Sequence, residues 1–498
     1  MQPDHEGLRP RSCAVDVAPK FFIERPGARR GNTVSRPKRR KHLTFDDSFW
    51  MWLESPETPM QVAALAIFAA QDEPATAVVE RIVTAFRCHR DVDPRFRSLL
   101  RNRRFPRRTR LEATGHIDID YHLRHHVLSA PGGEHKLAQL ISRMHSSRLD
   151  ARRPMWEVHV IDGLDDNRFA IYLKAHHALI NGVDAVRLFG RSLATEADAP
   201  ITAPVWATVR RSPTKATAGR RRPSRVELLT AIARATRTLW RAGCTDSPLV
   251  GPFAAPRSPV NVDEVGPHRR IGTAAIELDR IKRLSKRSDT TVNDIVLTAC
   301  ATALRRYMIE IADLPDKPLV LGCPVSIAPE GSATASSIGI MFVDTATDEP
   351  DAGTRLSRIS ASTRAAKQHQ SALPHAALVG YAIVAMAPHT LRQLVPGAVT
   401  HMRPTFNLIV SNVPGPDRPL YLAGARMVEM YPLSLLFKGE ALNITAVSYD
   451  GRLHFGFTTC RTALPDVARL TRYLGAAFDE LEGHYATELP DLALGTAG

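Results

Sequence analysis

The most regular hydrophobic pattern in the chain is an apolar strand, a turn, a second apolar strand and an amphipathic helix. Residues 156–164 alternate as a strand, 163–167 supply turn residues, and the apolar residues of 169–173 share one face of the second strand. From 183 to 193, apolar residues recur at helical spacing. The pattern therefore predicts a strand-to-helix loop at 176–182, which is a common position for a reactive side chain.

The remainder of the chain predicts two halves of similar construction. Ordered chain is predicted from Leu43, and the pair Asp450-Gly451 between two apolar runs is a strong hairpin signal. Each half therefore combines helices with a mostly hairpin-connected sheet. The further predicted strands are 63–68, 272–278, 319–327, 406–410, 442–449 and 453–458, and the further predicted helices are 77–87, 137–148, 291–308, 353–368, 376–394 and 465–483.

A basic segment, residues 207–267, separates the two halves and is predicted to be a crossover linker. Within it, Arg234, Arg237 and Arg241 lie away from an apolar helical face, so the helix is amphipathic. Such a helix either connects the halves while docked on one of them or lies in a membrane interface, which suits Trp240 with flanking Arg residues. The predicted apolar face is formed by Val226, Leu229, Ile232, Ala233, Thr236 and Trp240.

Length and the two chain ends complete the predicted domain organisation. A chain of 498 residues is too long for one ordinary core, so we predict two folded halves, 43–206 and 268–485. Residues 1–42 are rich in Pro and Arg without a sustained period, which predicts a flexible basic tail. This tail is either a solvated extension or a tether to an anionic surface. A second flexible tail is predicted at 486–498.

The formal net charge of +15 favours contact with a polyanion. Nucleic acid, an anionic membrane face and an acidic cofactor such as coenzyme A all have the required charge. The basic runs lack interleaved aromatic residues and belong to no recognised nucleic-acid module, so we expect no nucleic-acid partner. A hydrophobic content of 44% with 23% charged residues is ordinary for a folded soluble protein.

Cysteine spacing and hydropathy indicate the compartment. The six cysteines form no CxxC pair and no metal-ligand spacing, which fits a reducing compartment without a disulfide framework. The longest apolar run, 376–387, stops at Pro388 and is shorter than the ~20 residues of a membrane span. The N-terminus has no apolar leader, so we expect a cytoplasmic protein without a transmembrane helix or signal peptide.

Two adjacent histidines, His176 and His177, lie in the predicted strand-to-helix loop. On an extended backbone neighbouring side chains point to opposite sides, so one imidazole can face a channel while the other is anchored in the interior. We predict His177 to be a general base, because a neutral imidazole can take the proton of a hydroxyl that attacks a thioester. Asn181 and Gly182 are predicted to shape the loop, because Gly allows a positive φ and an Asn amide can bond nearby backbone. The alternative is a pair of partly buried histidines without a catalytic role.

A second histidine cluster, His122, His125 and His126, is suggestive of metal ligation. No cysteine and no further ligand pattern accompanies it. We therefore predict packing or solvated histidines there, and no metal.

A series of segments, in the same order along the chain, resembles the bacterial wax ester synthase/diacylglycerol acyltransferase family in its actinobacterial form. His176 to Gly182 resembles the family's HHxxxDG motif, and Arg153 to Glu157 resembles its Pro-Leu-Trp box with Met155 in place of Leu. The resemblance extends from Leu43 to Leu481. The other matching segments are Asp46–Phe49 with Pro59–Val62, Asn293–Val296, Asn407–Pro416, Tyr431–Ser434 and Leu442–Ile444.

The resemblance implies an α/β (α+β) fold of two chloramphenicol-acetyltransferase-like domains, each a mixed sheet with flanking helices, which form a pseudo-dimer around a central tunnel. It implies acyl transfer from a long-chain acyl-coenzyme A to a diacylglycerol or a long-chain alcohol, with His177 as the base and His176 in support. Asn293, Ser411 and Asn412 are the candidate oxyanion donors. No cofactor is implied, since acyl-coenzyme A is a co-substrate. Residence at the inner face of the plasma membrane or on lipid inclusions is implied by the lipid product.

The sequence departs from the family motif at Asn181, where the motif has Asp. The resemblance implies that this Asp pairs with an Arg to hold the loop, so we expect the Arg to be lost or solvated here, because an unpaired buried charge costs about 3–5 kcal/mol. Two alternatives remain open. One is a catalytically weakened member that binds lipid or coats lipid inclusions, and the other is a condensation-type enzyme that takes acyl groups from a carrier protein.

Overall fold

The computed structural model describes residues 41–101, 108–208, 224–242, 247–326 and 338–488, all of which belong to one compact unit. Most of the two predicted tails, and residues 209–223 and 243–246 of the predicted linker, lie outside these ranges. Two predicted tail boundaries are corrected. Lys41 and His42 form a strand, and residues 486–488 continue the last helix.

The first half contains both short and long helices and strands. The long strands and helices form because apolar residues alternate or recur at helical spacing, as the sequence predicts. The elements are β1 Lys41–His42, α1 Phe45–Leu53, β2 Gln61–Ala69, α2 Ala75–Cys88, β3 Ser98–Arg101, β4 Arg110–Ala113, α3 Ile119–His122, β5 Leu123–Val127, α4 Glu134–Ser146, β6 Trp156–Leu164, β7 Arg168–His176 and α5 Gly182–Arg191.

A helix in the predicted linker, α6 Arg225–Ala242, precedes the second half. The elements that follow are β8 Arg269–Glu277, α7 Leu278–Arg287, α8 Val292–Glu310, β9 Val320–Ser326, β10 Ile338–Asp344, α9 Ala352–Ser371, α10 His375–Ala385, α11 Ala387–Leu394, α12 Ala398–His401, β11 Leu408–Val413, β12 Tyr421–Leu422, β13 Ala425–Leu433, β14 Leu442–Tyr449, β15 Arg452–Cys460 and α13 Val467–Glu488.

Two six-stranded mixed sheets with flanking helices form the frame, which confirms the predicted fold class. One sheet has the order β12-β13-β2-β7-β6-β5 and the other β10-β9-β11-β14-β15-β8, and a small sheet of order β1-β4-β3 lies apart. The predicted hairpins are present at β6–β7 and β14–β15, and the second turns through Asp450 and Gly451 with φ of 44° and 78°. Parallel pairs occur at β5–β6, β9–β11 and β11–β14.

The hairpin β12–β13 ties the two halves together. Although it belongs to the second half of the chain, β13 pairs antiparallel with β2, so it completes the sheet of the first half. The chain that leaves β13 therefore passes beside the first sheet before it returns to β14. This brings Ser434 and Phe437 next to the predicted catalytic loop.

Two predictions about helices are corrected by the structure. The predicted helix 376–394 is two helices, because the chain breaks at Met386, and Pro388 at the second position of the next helix has no backbone N–H to continue the first. The predicted apolar face of α6 is also wrong. Ile232 packs inward, whereas Val226, Leu229 and Trp240 are exposed. The buried face of α6 consists of Leu228, Ala231, Ile232, Ala235 and Leu239.

Candidate active site

The loop that carries His177 connects β7 to α5, where the sequence predicts it. The backbone N–H of His176 donates to the Met155 carbonyl at 2.9 Å, and that of His177 donates to the Met60 carbonyl at 2.8 Å. The turn closes with the Leu179 N–H on the His176 carbonyl at 2.8 Å. The loop is thus held by segments on both sides, which limits the movement of the two imidazoles.

His176 is fully buried and serves as an anchor for this loop. Its Nδ1 accepts a hydrogen bond from the Ala178 N–H at 3.1 Å, so the ring proton of the neutral form is on Nε2. Nε2 lies 3.9 Å from Oε1 of the buried Glu54, whose other oxygen is 3.4 Å from Arg148 Nη2. These contacts fix the orientation of His176 and leave His177 as the imidazole that faces open space.

Trp50 of α1 stacks on His177, with ring centroids 3.8 Å apart and an interplanar angle of 29°. The ring of Phe437 lies 6.1 Å from that of Trp50 at an angle of 26°. Neither aromatic residue is predicted from the sequence as part of the site. Only the tertiary structure brings them to the loop, because one precedes it in the first half and the other follows β13 in the second.

Two cavities meet at His177. One has a volume of about 460 Å³ and a mostly apolar lining, to which α1, α10 and α11 contribute, and we call it the apolar cavity. The other has a volume of about 470 Å³ and includes polar side chains, and we call it the mixed cavity. The residues that line both cavities are Trp50, His177, Pro324, Ile409 and Phe437.

Burial alters the acid–base behaviour of His177. The ring keeps some accessible surface, but this surface faces the cavities, so the charged form loses most of its hydration. Desolvation lowers the pKa of His177 to about 4. The imidazole is therefore neutral at physiological pH and able to accept a proton.

Polar groups from the second half line the mixed cavity opposite His177. Asn293 in the first turn of α8 and both Ser411 and Asn412 of β11 are among them, so the structure brings all three predicted donors to this cavity. Neighbouring residues of a strand point to opposite faces. Ser411 is paired in register with Thr445, so these two side chains share a face, and Asn412 lies on the opposite one.

Asn443 and Thr445 of β14 are lining residues that the sequence does not predict as site residues. The Thr445 hydroxyl donates to Asn443 Oδ1 at 3.0 Å, and both residues are buried. This bond orients the amide so that its N–H groups are directed away from Thr445. The only signal in the sequence is the resemblance of Leu442–Ile444 to a family segment, which gives no indication of a role.

Asn181 caps α5, the helix that follows the catalytic loop. Its Oδ1 accepts from the Asp184 N–H at 2.8 Å, and its Nδ2 donates to Asp184 Oδ2 at 3.2 Å. An amide does both at once, because it carries an acceptor and a donor. The motif position thus has a local structural role as Asn.

Gly182 does not use the positive φ that a glycine allows. It is absent from the glycines with positive φ in the described chain. A Cβ at this position would lie 3.9 Å from Val413 Cγ2, which is ordinary contact. The residue begins α5 with helical geometry and lines the mixed cavity.

Other reactive side chains near the site are engaged or inert. Cys323 lines the mixed cavity, but burial raises the pKa of its thiol to about 12, so it is protonated at neutral pH.

In the second histidine cluster, His122 Nδ1 lies 2.7 Å from the Trp156 carbonyl and His126 Nε2 lies 3.0 Å from His159 Nδ1. The part of the chain that the structure describes contains no group of three or more His, Cys, Asp or Glu side chains that could hold a metal ion.

Comparisons with known proteins match most of the chain. The family model described as the wax ester synthase/diacylglycerol acyltransferase catalytic domain matches residues 43–296, and that of the corresponding C-terminal domain matches 336–482. A Mycobacterium tuberculosis protein described as a probable diacylglycerol O-acyltransferase is 38% identical over 453 residues, 88% of this chain and 98% of the relative. An O-acyltransferase of Acinetobacter baylyi is 31% identical over 457 residues, 89% of this chain and 97% of the relative.

Solved structures agree with this result. The wax ester synthase/diacylglycerol acyltransferase of Marinobacter aquaeolei is similar at a TM-score of 0.72 and 32% identity, covering 89% of this chain and 99% of the other. The first condensation domain of the calcium-dependent antibiotic synthetase is similar at a TM-score of 0.56 and 15% identity, covering 90% and 97%. At that identity the likeness shows the fold alone.

Proposed function

The chain belongs to the wax ester synthase/diacylglycerol acyltransferase family, and on this premise we propose that it transfers a long-chain acyl group from acyl-coenzyme A to the hydroxyl of a diacylglycerol or a long-chain alcohol. Acyl-coenzyme A is a co-substrate in this reaction, and no resident cofactor takes part. The single observation that carries the proposal is the position of His177 at the junction of two cavities of different character.

The two cavities suit the two substrates. We assign the acyl-coenzyme A thioester to the mixed cavity, because it combines apolar residues such as Val325 and Met341 with the polar side chains of β11 and β14. The apolar cavity then takes the acceptor. A volume of about 460 Å³ is in the range of ~300–1,000 Å³ that holds a drug-sized ligand, so the long chains of an acceptor lipid must extend beyond it.

The reaction begins with proton transfer to His177. Nδ1 of this ring is buried, so we assign Nε2 as the acceptor of the hydroxyl proton. As the O–H bond breaks, the oxygen forms a bond to the thioester carbonyl carbon, and the carbonyl electron pair moves to its oxygen. Collapse of this tetrahedral intermediate breaks the carbon–sulfur bond, and the departing sulfur takes the proton from the imidazolium. The enzyme is restored and forms no covalent intermediate.

Charge develops at two places during this reaction. At the imidazolium, the face of Trp50 is in contact with the ring and supplies a cation–π interaction that offsets part of the desolvation cost. At the oxyanion, Asn443, held by Thr445, is our preferred donor, with Asn293 and Ser411 as the other candidates. Asn412 is the weakest candidate, because β11 directs it to the opposite face from Ser411.

We further propose that the protein works at a lipid surface, peripherally at a membrane or on a lipid inclusion, since both acceptor and product partition into lipid. No helix of the described residues has the length and apolar character needed to cross a bilayer. An acceptor dissolved in lipid requires a protein that attaches to the lipid layer from one side.

A direct product assay tests this function. The purified chain is incubated with radiolabelled palmitoyl-coenzyme A and, separately, with dioleoylglycerol, hexadecanol and a sterol, and the lipid products are separated by thin-layer chromatography. We expect label in triacylglycerol or wax ester. Label that appears only as free palmitate, or with none of the acceptors, would contradict the proposal.

A further inference from the structure

We propose that exposed apolar side chains of α6, α10 and α11 form a surface that docks on an anionic phospholipid bilayer, and that the acceptor passes from that bilayer directly into the apolar cavity. This inference rests on the proposed acyl transfer to a lipid acceptor. We call this surface the docking surface, and its residues are Val226, Leu229, Trp240, Ile383, Leu391 and Val395.

Exposed apolar side chains are concentrated on this part of the molecule. Seven of the ten large apolar side chains that the described residues expose lie on α6, on α10 or at α11 and its C-cap. Leu229 is 67% exposed, Leu391 51% and Ile383 50%. Single exposed apolar residues are normal on a soluble protein, but a cluster of this kind marks an interaction site.

The helices that carry the docking surface are adjacent. Ile232 of α6 packs so closely on Gly380 of α10 that a Cβ on the glycine would lie 2.6 Å from Ile232 Cδ1. Ala235 and Leu239 of α6 belong to the same buried cluster as Ala377 of α10. Val226, Leu229 and Trp240 lie outside the face that α6 packs against α10, and all three are exposed to solvent.

The docking surface is continuous with the apolar cavity. Ile383 and Leu391 are each about half exposed and also line the cavity. The other walls of this cavity reach His177 and Trp50. An acceptor chain that leaves a lipid layer at Ile383 or Leu391 would therefore contact apolar side chains along its path to the base, without crossing water.

The positive charge of α6 indicates which partner binds the docking surface. Arg234 and Arg237 are exposed, and helical geometry places both on the solvent-facing side of α6, within about 80° of Val226 around the helix axis. An apolar stripe flanked by arginines inserts its apolar residues at the acyl boundary while the guanidinium groups contact anionic headgroups. The formal net charge of +15 acts in the same direction. An anionic bilayer leaflet meets both requirements.

Vesicle flotation with full-length protein tests the docking surface. The vesicles are phosphatidylcholine with or without phosphatidylglycerol. The test variant is Leu229→Ser/Val395→Ser, because neither residue lines a cavity. The matched control is Ile309→Ser/Ile311→Ser, which removes two exposed apolar side chains at the end of α8, 52% and 39% exposed.

We expect wild type and control to float with phosphatidylglycerol vesicles. The test variant should bind these vesicles at least about tenfold more weakly, because it lacks two apolar side chains that docking would bury. Arg234→Gln/Arg237→Gln is expected to lose binding to the anionic vesicles in particular. Wild-type protein that does not float, or a control that loses as much as the test variant, overturns the proposal.

Activity with two forms of acceptor tests the route. The test variant is expected to lose activity on dioleoylglycerol presented in anionic vesicles and to keep it on a short, water-soluble alcohol. Unchanged activity on both, or equal loss on both, overturns direct transfer from the bilayer. If wild type esterifies neither acceptor, the proposed function fails, and flotation still decides the docking surface separately.

Discussion

Trp50 and His177 lie face to face, with ring centroids 3.8 Å apart, at the point where two cavities meet. In a site where burial lowers the pKa of His177 to about 4, the charged form of the imidazole needs a partner that does not itself require water. The indole face is such a partner, because its π electrons attract a cation without a hydrogen bond.

Replacing Trp50 tests this role. We expect Trp50→Leu to lower kcat by about 2- to 30-fold, the range of a cation–π interaction of ~0.5–2 kcal/mol, with a smaller effect on KM. Trp50→Phe keeps an aromatic face and should retain most of the activity. Steady-state kinetics of the two purified variants is the measurement. Equal losses in the Leu and Phe variants would mean that Trp50 acts only by filling space.

The pH dependence of activity follows from the lowered pKa of His177. The base works only when unprotonated, and its folded pKa of about 4 lies below the ordinary value of 6.5, so activity should be flat from neutral pH down to about pH 5. It should then decrease as the pH falls through about 4. Initial rates of kcat/KM against pH measure this limb. A midpoint near 6.5 would show an imidazole that is exposed to water during the reaction.

Acid unfolding is the control for that experiment, since other buried histidines also have lowered pKa values. Burial lowers the pKa of His145 and His389 to about 3 and that of His454 to about 4. The unfolded chain protonates these groups near 6.5 and the folded chain does not, so stability should decrease as the pH falls from about 6.5 toward 4. Circular dichroism at each pH separates loss of fold from titration of His177.

Asn181 is expected to tolerate its departure from the family motif. Asn181→Asp keeps the helix cap but places a second carboxylate where Nδ2 now donates to Asp184 Oδ2 at 3.2 Å. We therefore predict a lower thermal midpoint and no gain in kcat. The double variant Asn181→Asp/Asp184→Asn restores one amide and one carboxylate and should recover stability. A large rise in activity of Asn181→Asp would instead indicate a decayed enzyme.

Local patterns in the sequence predict the elements that position His177. The alternation of 156–164 and 169–173 and the Asp450-Gly451 turn each follow from interactions between near neighbours, and the corresponding hairpins are present. The docked face of α6 is a different case. Ile232, Leu229 and Trp240 satisfy the same helical spacing, but Ile232 packs closely on Gly380 whereas Leu229 and Trp240 are exposed.

Several residues of the candidate site come together through contacts between segments that are far apart in the sequence. Phe437 reaches His177 because β13 pairs with β2 across the two halves, and no periodicity along the chain reports such a pairing. Trp50 lies on α1, also far from His177 in the sequence, and only tertiary packing stacks the two rings. Gly182 is a different case, because a glycine in a loop motif suggests a positive φ, whereas here the residue begins α5 without one.

The central claim is that His177 acts as the base of acyl transfer, and single-turnover kinetics of His177→Ala tests it most directly. The matched control is His135→Ala, an exposed histidine on α4. With radiolabelled palmitoyl-coenzyme A and dioleoylglycerol, we predict that His177→Ala forms triacylglycerol at least about 10²-fold more slowly than wild type, with an unchanged circular dichroism spectrum, while His135→Ala is unaffected. Wild-type rates in a folded His177→Ala variant would contradict the claim.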